Sequence, residues 1–302
     1  MERTESTEKP AEAAAEVAPA LLPPSKQTIP DGGSCPTCSG SSTPRPSPLQ
    51  NSFVYALGRI EPRFPRLSVE KEFAQAAGQI ETAGLTDAQT LVKTLSESRN
   101  QYLARQLCWV MMISGLETYL VVPRQPSDVI LLVESLRSET DLGALDAVIG
   151  VKGPVAPPDM CNGLALPIVI FDQLYWFDRE SLLKSLPAHK GKETHASASE
   201  LLDRILAATD NSGNSDEHRA LNYLAVRYSG IYSLAAECQT RDLALTALAG
   251  RLWSLSTARR IVEIVFTFTQ RKNEFVEKYC CRVDVNDEFP FLVSKIAPYY
   301  DH

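Results

Sequence analysis

The strongest constraint on the fold of this 302-residue chain lies near its end, in the two segments "RRIVEIVFTFT" and "EFVEKYCCRVDV". Apolar residues recur there at every second position, which is the period of a β-strand with one buried face. The inward set reads as Val262, Ile264, Phe266 and Phe268 on one strand, and Tyr279, Cys281, Val283 and Val285 on the next. Gln270–Asn273 joins the two.

Earlier segments carry the same signal more briefly. "FVYAL" alternates Phe53, Tyr55 and Leu57 with Val54 and Ala56, and Pro62 and Pro65 mark the end of that strand. "LCWVMMI" and "LETYLVVP" flank Ser114-Gly115, a turn dipeptide that predicts a hairpin. "DAVIGVKGPVAP" and "LALPIVIFDQLYWF" read as two further strands around the Pro-rich loop 154–163. Helical spacing takes over elsewhere. "LSVEKEFAQAAG" predicts a helix with Ser68 as N-cap and Gly78 as its stop, and "LTDAQTLVKTLSESRNQYLARQ" one or two more. "PSDVILLVESLRS", "DRESLLKSL", "ASASELLDRILAAT" and "SDEHRALNYLAVRYSGIYSLAAE" read as helices, with 187–198 as a polar loop. Strands and helices come in blocks without βαβ alternation, which predicts an α+β fold with a largely antiparallel sheet and flanking helices.

One domain is expected over 35–302, with its core starting near residue 51. Residues 1–34 are Ala-, Glu-, Pro- and Ser-rich and are expected to be disordered, since they cannot bury enough apolar surface to offset chain entropy. Net charge is −7, so the chain lacks the basic footprint of a nucleic-acid or anionic-lipid binder. "AEAAAEVAPALLPP" is not the apolar core of a secretory signal, and "LCWVMMI" is too short to cross a bilayer. The seven scattered cysteines fit a reducing cytoplasm, where they serve as core residues, ligands or nucleophiles and not as a disulfide framework.

Five blocks then point to a family: "FVYALGRIEPRFPRLSVEKEFAQ", "YLARQLCWVMMISGLETYLVVPR", "KGPVAPPDMCNGLALPIV", "ALNYLAVRY" and "VDVNDEFPFLVSKIAPYYD". Together, in collinear order, they resemble the C-terminal domain of unknown function of PatG-type cyanobactin maturation proteins, a domain that also closes their PatA-type partners. The resemblance spans roughly 35–302 and includes the CxxC ahead of the first strand. It implies a place in ribosomal-peptide maturation, with precursor peptide or the maturation proteins as partners. In that family other domains carry the chemistry, a subtilisin-like protease or macrocyclase and in some members an oxidase, and this chain has no matching "GTSMA" or "HGT" segment. The resemblance also implies a strand across "LALTALAGRLWSLSTARR", where composition alone reads equally as helix.

The most specific short motif is Cys35-Pro-Thr-Cys38, spaced as two thiolates gripping one tetrahedral ion. Completing a structural zinc site needs two more donors. Cys161, in the loop "PPDMCNG", is the expected third ligand. Cys280 is the leading fourth, with His189, His195 or a second protomer as alternatives. Cys281 is excluded because it shares the core face with Tyr279 and Val283. None of the four histidines stands in a nucleophile-elbow or protease setting, so no catalytic residue is assigned. Arg282 and Asp284, beside Lys278 and Cys280 on the face opposite Val283, predict cross-strand ion pairs or a polar groove for an extended peptide. The functional expectation is a non-catalytic accessory module, a homodimer that scaffolds the maturation proteins or holds precursor peptide. The alternative is a zinc-dependent hydrolase of peptides, which would keep one metal position open for water.

Overall fold

The computed structural model of the protein describes residues 52–136, 144–178, 192–207, 211–253, 259–270 and 275–300, with the side chains of 192–195 left aside. The expected disordered tail, the CxxC clip and all of the "DRESLLKSL" helix but Asp178, which ends a strand, fall outside these residues.

The fold is α+β with largely antiparallel sheet, and it contains two sheets where one was expected. The first is a closed barrel of β1 (Phe53–Arg63), β2 (Cys108–Ile113), β3 (Leu116–Pro123), β4 (Ala144–Val155) and β5 (Pro167–Asp178), in the order β1-β2-β3-β5-β4. Every pairing is antiparallel except β3 with β5. β1 runs through Pro62 and serves two neighbours: Phe53–Gly58 pair with β4, and Arg59–Arg63 pair with β2. Gly58 sits at the changeover, where a Cβ would lie 2.2 Å from the Met112 carbonyl oxygen. The amide of Ile60, turned away from β2 once β4 is left behind, donates to the buried carboxylate of Asp146 at 2.9 Å. The β2–β3 turn is made by Ser114 (φ 51°) and Gly115 (φ 80°), as the dipeptide predicted. A five-stranded Greek-key barrel with this connectivity is of the OB type.

Helices α1 (Leu67–Ala77), α2 (Asp87–Ser96) and α3 (Gln101–Gln106) fill the β1–β2 connection, and α4 (Val129–Ser135) bridges β3 and β4. Ser68 is not the cap of α1. The extended residue there is Arg66, and Leu67 is already helical, while Gly78 ends the helix as predicted. Thr86 and Gln89 form a reciprocal capping box at the start of α2. Val54, Ala56, Trp109, Met111, Val148 and Phe171 fill the barrel interior, and Val129, Leu132 and Leu136 close one end.

A second block follows: α5 (Lys192–Leu206), α6 (Asp216–Arg227), α7 (Gly230–Thr240), then the open sheet β6 (Leu243–Leu252), β7 (Ile261–Gln270), β8 (Val276–Asp284) and β9 (Phe291–Pro298), paired in that order. α5 begins inside the stretch read as polar loop, and the long helix read over 215–237 breaks at Tyr228 and Ser229 into α6 and α7. The segment from 243 is a strand, as the resemblance implied. The inward set of β7 and β8 is as predicted: Val262, Ile264, Phe266, Phe268, Cys281 and Val283 are at most 1% exposed. These side chains share one core with Leu201, Leu224 and Tyr232 of the helices and with Tyr55, Leu57, Ala147 and Ile149 from the outer face of the barrel. The helices are thus a middle layer between barrel and open sheet. Asn222 pins that layer to β1, donating to the Tyr55 carbonyl oxygen at 2.7 Å. Gly213, at φ 74°, brings its own carbonyl within 2.9 Å of the Tyr55 amide.

Candidate functional site

A cleft of about 610 Å³ opens where the start of β1, the first turn of α6, the end of β6, the start of β7 and the β8–β9 connection meet. Its volume falls in the range of ordinary ligand sites. Phe53, Leu252 and Val285 give it an apolar wall, with Leu252 55% exposed. Asn214, Ser215 and Asn286 give it hydrogen-bonding edges, while Asp216, Glu217, Arg219 and Arg260 bring charge.

The sequence builds this place through one helix start. Ser215 caps α6, its hydroxyl accepting from the His218 amide at 3.1 Å. That puts Asp216 in the first turn and Arg219 one turn in, on the buried side with Ala220 and Asn222. Arg219, 3% exposed, donates to the carbonyl oxygens of Val285 (2.8 Å), Asp287 and Glu288 (3.3 Å), so it fastens the β8–β9 connection to the helix. Its guanidinium stacks 5.2 Å from the Phe53 ring centre. Asp216 lies 3.6 Å from Arg219 and 2.5 Å from Arg260. Burial pushes the Asp216 carboxyl above the ordinary aspartate range, against the pull of Arg260 and Arg219. Burial also draws Arg219 down, opposed chiefly by Asp216, but a guanidinium keeps its charge. The charges of Asp216, Arg219 and Arg260 are therefore spent on one another and on backbone carbonyls.

A second cluster flanks the same connection. Arg124, just after β3, pairs with Asp172 of β5, and Glu288 shares a hydrogen bond with Asp172. Burial, then the Asp172 hydrogen bond, pushes the Glu288 carboxyl up to about 7. Burial alone would raise Asp172, but its bonds with Glu288 and Arg124 bring it below the usual value. One carboxylate of the pair holds its charge while the other keeps a proton into neutral pH.

The cysteines are distributed as follows. Cys35 and Cys38 lie outside the described residues. Cys161 is bonded to Cys108 on β2, a pairing that corrects the expectation of no disulfide framework. Cys280 is on the outer face of β8, half-buried, its thiol raised by burial and then by Glu263. A disulfide sulfur is not a thiolate donor, and a raised pKa favours thiol over thiolate. Among the described residues no group of three or more His, Cys, Asp and Glu is placed to hold a metal. The backbone of His195 is in α5, and His189 is outside the described residues.

The ion pairs foreseen around Arg282 are present. Glu263, 3% exposed at its side chain, takes Arg282 at 2.9 Å and Arg251 at 2.7 Å, with Trp253 under the Arg282 guanidinium. Asp284 is buried against Arg259. The cleft itself escaped sequence reading. Its one available signal was an arginine on the apolar face of a helix: "EHRALN" puts Arg219 beside Ala220 on the buried side.

Among the described residues, no helix is long and apolar enough to cross a membrane. No curated protein matches the chain. A solved structure described as "PatG Domain of Unknown Function" superposes with a TM-score of 0.67 at 17% identity, covering 82% of this chain and 99% of the other. The family model "PatG Domain" matches residues 53–252, which include the barrel, the helical layer and β6. The chain belongs to the PatG domain family.

Proposed function

We propose that this domain is a non-catalytic accessory module of cyanobactin-type peptide maturation in the cytoplasm, and that its cleft holds a stretch of precursor peptide. The observation that carries this reading is the commitment of three of the cleft's four charged side chains. Asp216, Arg219 and Arg260 are paired with each other, and Arg219 is further held by three carbonyls. What the cleft offers an incoming chain is an apolar wall and polar edges, the mixture by which peptides are held. A calorimetric titration with precursor peptide tests it. Binding is expected in wild type, and Leu252→Glu, at a position already exposed, should leave stability within about 0.5 kcal/mol and weaken binding at least about tenfold. Equal affinity in both proteins would put the peptide elsewhere.

The structural zinc belongs to the same proposal and rests on the Cys35–Cys38 spacing. Cys161 can join that set only as a thiolate, with its bond to Cys108 open. Metal analysis of wild type against Cys35→Ser decides the point: a stoichiometric zinc lost in the variant supports the clip, and equal metal in both removes Cys35 from it. A homodimer is the assembly that goes with a scaffold role, and sedimentation at micromolar concentration reads it directly.

A further inference from the structure

We propose that the β4–β5 connection, residues 156–166, is a redox-controlled strap, and that thiol–disulfide exchange at Cys108–Cys161 opens the outer face of β2 and β3 beneath it. The strap is self-contained. Its backbone bonds run from Met160 to Pro157 (3.0 Å), Gly163 to Pro158 (2.8 Å) and Leu164 to Cys161 (3.0 Å), with Asn162 and Gly163 turning the chain at positive φ. Ala156 to Leu166 (2.8 Å) ties only its own two ends together. Across this span the disulfide is the covalent tie to β2. Beneath the strap lies an apolar strip of Val110 and Leu120, buried, with Met112 and Ile168 half-buried, and Ala156, Leu164 and Leu166 cover it. Residues 157–160 face solvent, Met160 being 40% exposed. In OB-type barrels this outer face of the second and third strands, with the loop joining the fourth and fifth, is where ligands are held. The strap therefore covers the face that the fold most often uses.

The exchange balances with a dithiol as reductant. Cys108 and Cys161 are each 6% exposed, and Cys161 stands on the strap between the exposed Met160 and Asn162. An incoming thiolate bonds to the Cys161 sulfur, the S–S bond breaks, and Cys108 leaves as thiolate and takes a proton. The second thiol of the reductant then closes on the first, releasing Cys161. Two electrons and two protons pass to the protein, and the reductant becomes a disulfide.

Alkylation mass spectrometry and hydroxyl-radical labelling, on protein purified without reductant and on the same protein after dithiothreitol, test the proposal. Before reduction Cys108 and Cys161 should resist alkylation. After reduction both should alkylate, and labelling of Leu120 should rise at least about fivefold, while Met111 inside the barrel stays unchanged. A glutathione buffer poised as in a reducing cytosol should produce the same change. Cys108→Ser/Cys161→Ser should match the reduced protein with no reductant present. If that variant does not fold, the oxidised and reduced wild type decide alone. Alkylation of both cysteines before reduction, a bond that survives the glutathione buffer, or Leu120 labelling that reduction leaves unchanged would each overturn the proposal.

Discussion

Asp146 answers a problem that β1 creates. A strand that pairs first with β4 and then with β2 must leave backbone amides unpaired at the changeover, and a buried unpaired amide is costly. The Asp146 carboxylate reaches across to the Ile60 amide, and Gly58 removes the Cβ that would strike Met112. Asp146→Ala should therefore lower stability by about 1–3 kcal/mol, read from urea denaturation with an unchanged m-value. Glu288 supports a prediction in pH. Its folded pKa of about 7 exceeds its ordinary value of 4.5, so the folded state binds the extra proton between these values. Stability must then fall as pH rises through that window, because the native state loses a proton that the unfolded chain has already given up. Glu288→Gln should flatten the melting temperature between about pH 4.5 and 7 relative to wild type. A wild-type profile that is flat or rises across that window would show that the folded state does not hold the Glu288 proton, since Asp172, lowered below its ordinary value of 3.8, is ionised in both states there.

β9 shows how an edge strand is protected. The open sheet ends there, and an unguarded edge invites pairing with another chain. Two amides that β8 does not take, those of Leu292 and Ile296, donate instead to the hydroxyls of Tyr223 and Tyr228 at 3.2 and 3.1 Å. Tyr223→Phe/Tyr228→Phe should cost only about 0.5–1.5 kcal/mol per hydroxyl yet raise self-association, measured by sedimentation velocity across a concentration series. A double variant that associates no more than wild type would show that β9 needs no such guard. This strand was not foreseen from "FPFLVSKIAPYYD": Phe291 and Val293 face outward while Leu292 and Ile296 face the core, so its apolar residues do not sort by period. The strands with a clean inward face, β7 and β8, were legible residue by residue, as was the Ser114-Gly115 turn. The break between α6 and α7 was not, because "VRYSGIYS" keeps helical spacing across it, and the ends are set by Tyr228 and Tyr232 packing into the shared core.

At the level of the molecule, the class of fold was legible and its division into barrel and open sheet was not. Closing the barrel depends on β3 pairing in parallel with β5, 48 residues apart in register from Leu120 to Ile168, and no local pattern announces so distant a contact. The same distance hides the Cys108–Cys161 bond, whose partners stand 53 residues apart. It hides the cleft as well, since Phe53, Asp216, Arg260 and Val285 come from four separate elements or connections. What could be read was what neighbours along the chain decide: period and turn. The cleft is proposed to hold peptide and leave it intact. The most direct test is a chemical-shift titration of the labelled domain with precursor peptide, followed by mass analysis of the recovered peptide. Shifts concentrated at residues 52–53, 214–219, 252, 260 and 285–286, with the peptide mass unchanged, are the predicted result. Shifts absent at millimolar peptide, shifts confined to a surface away from the cleft, or a peptide recovered with altered mass would contradict it.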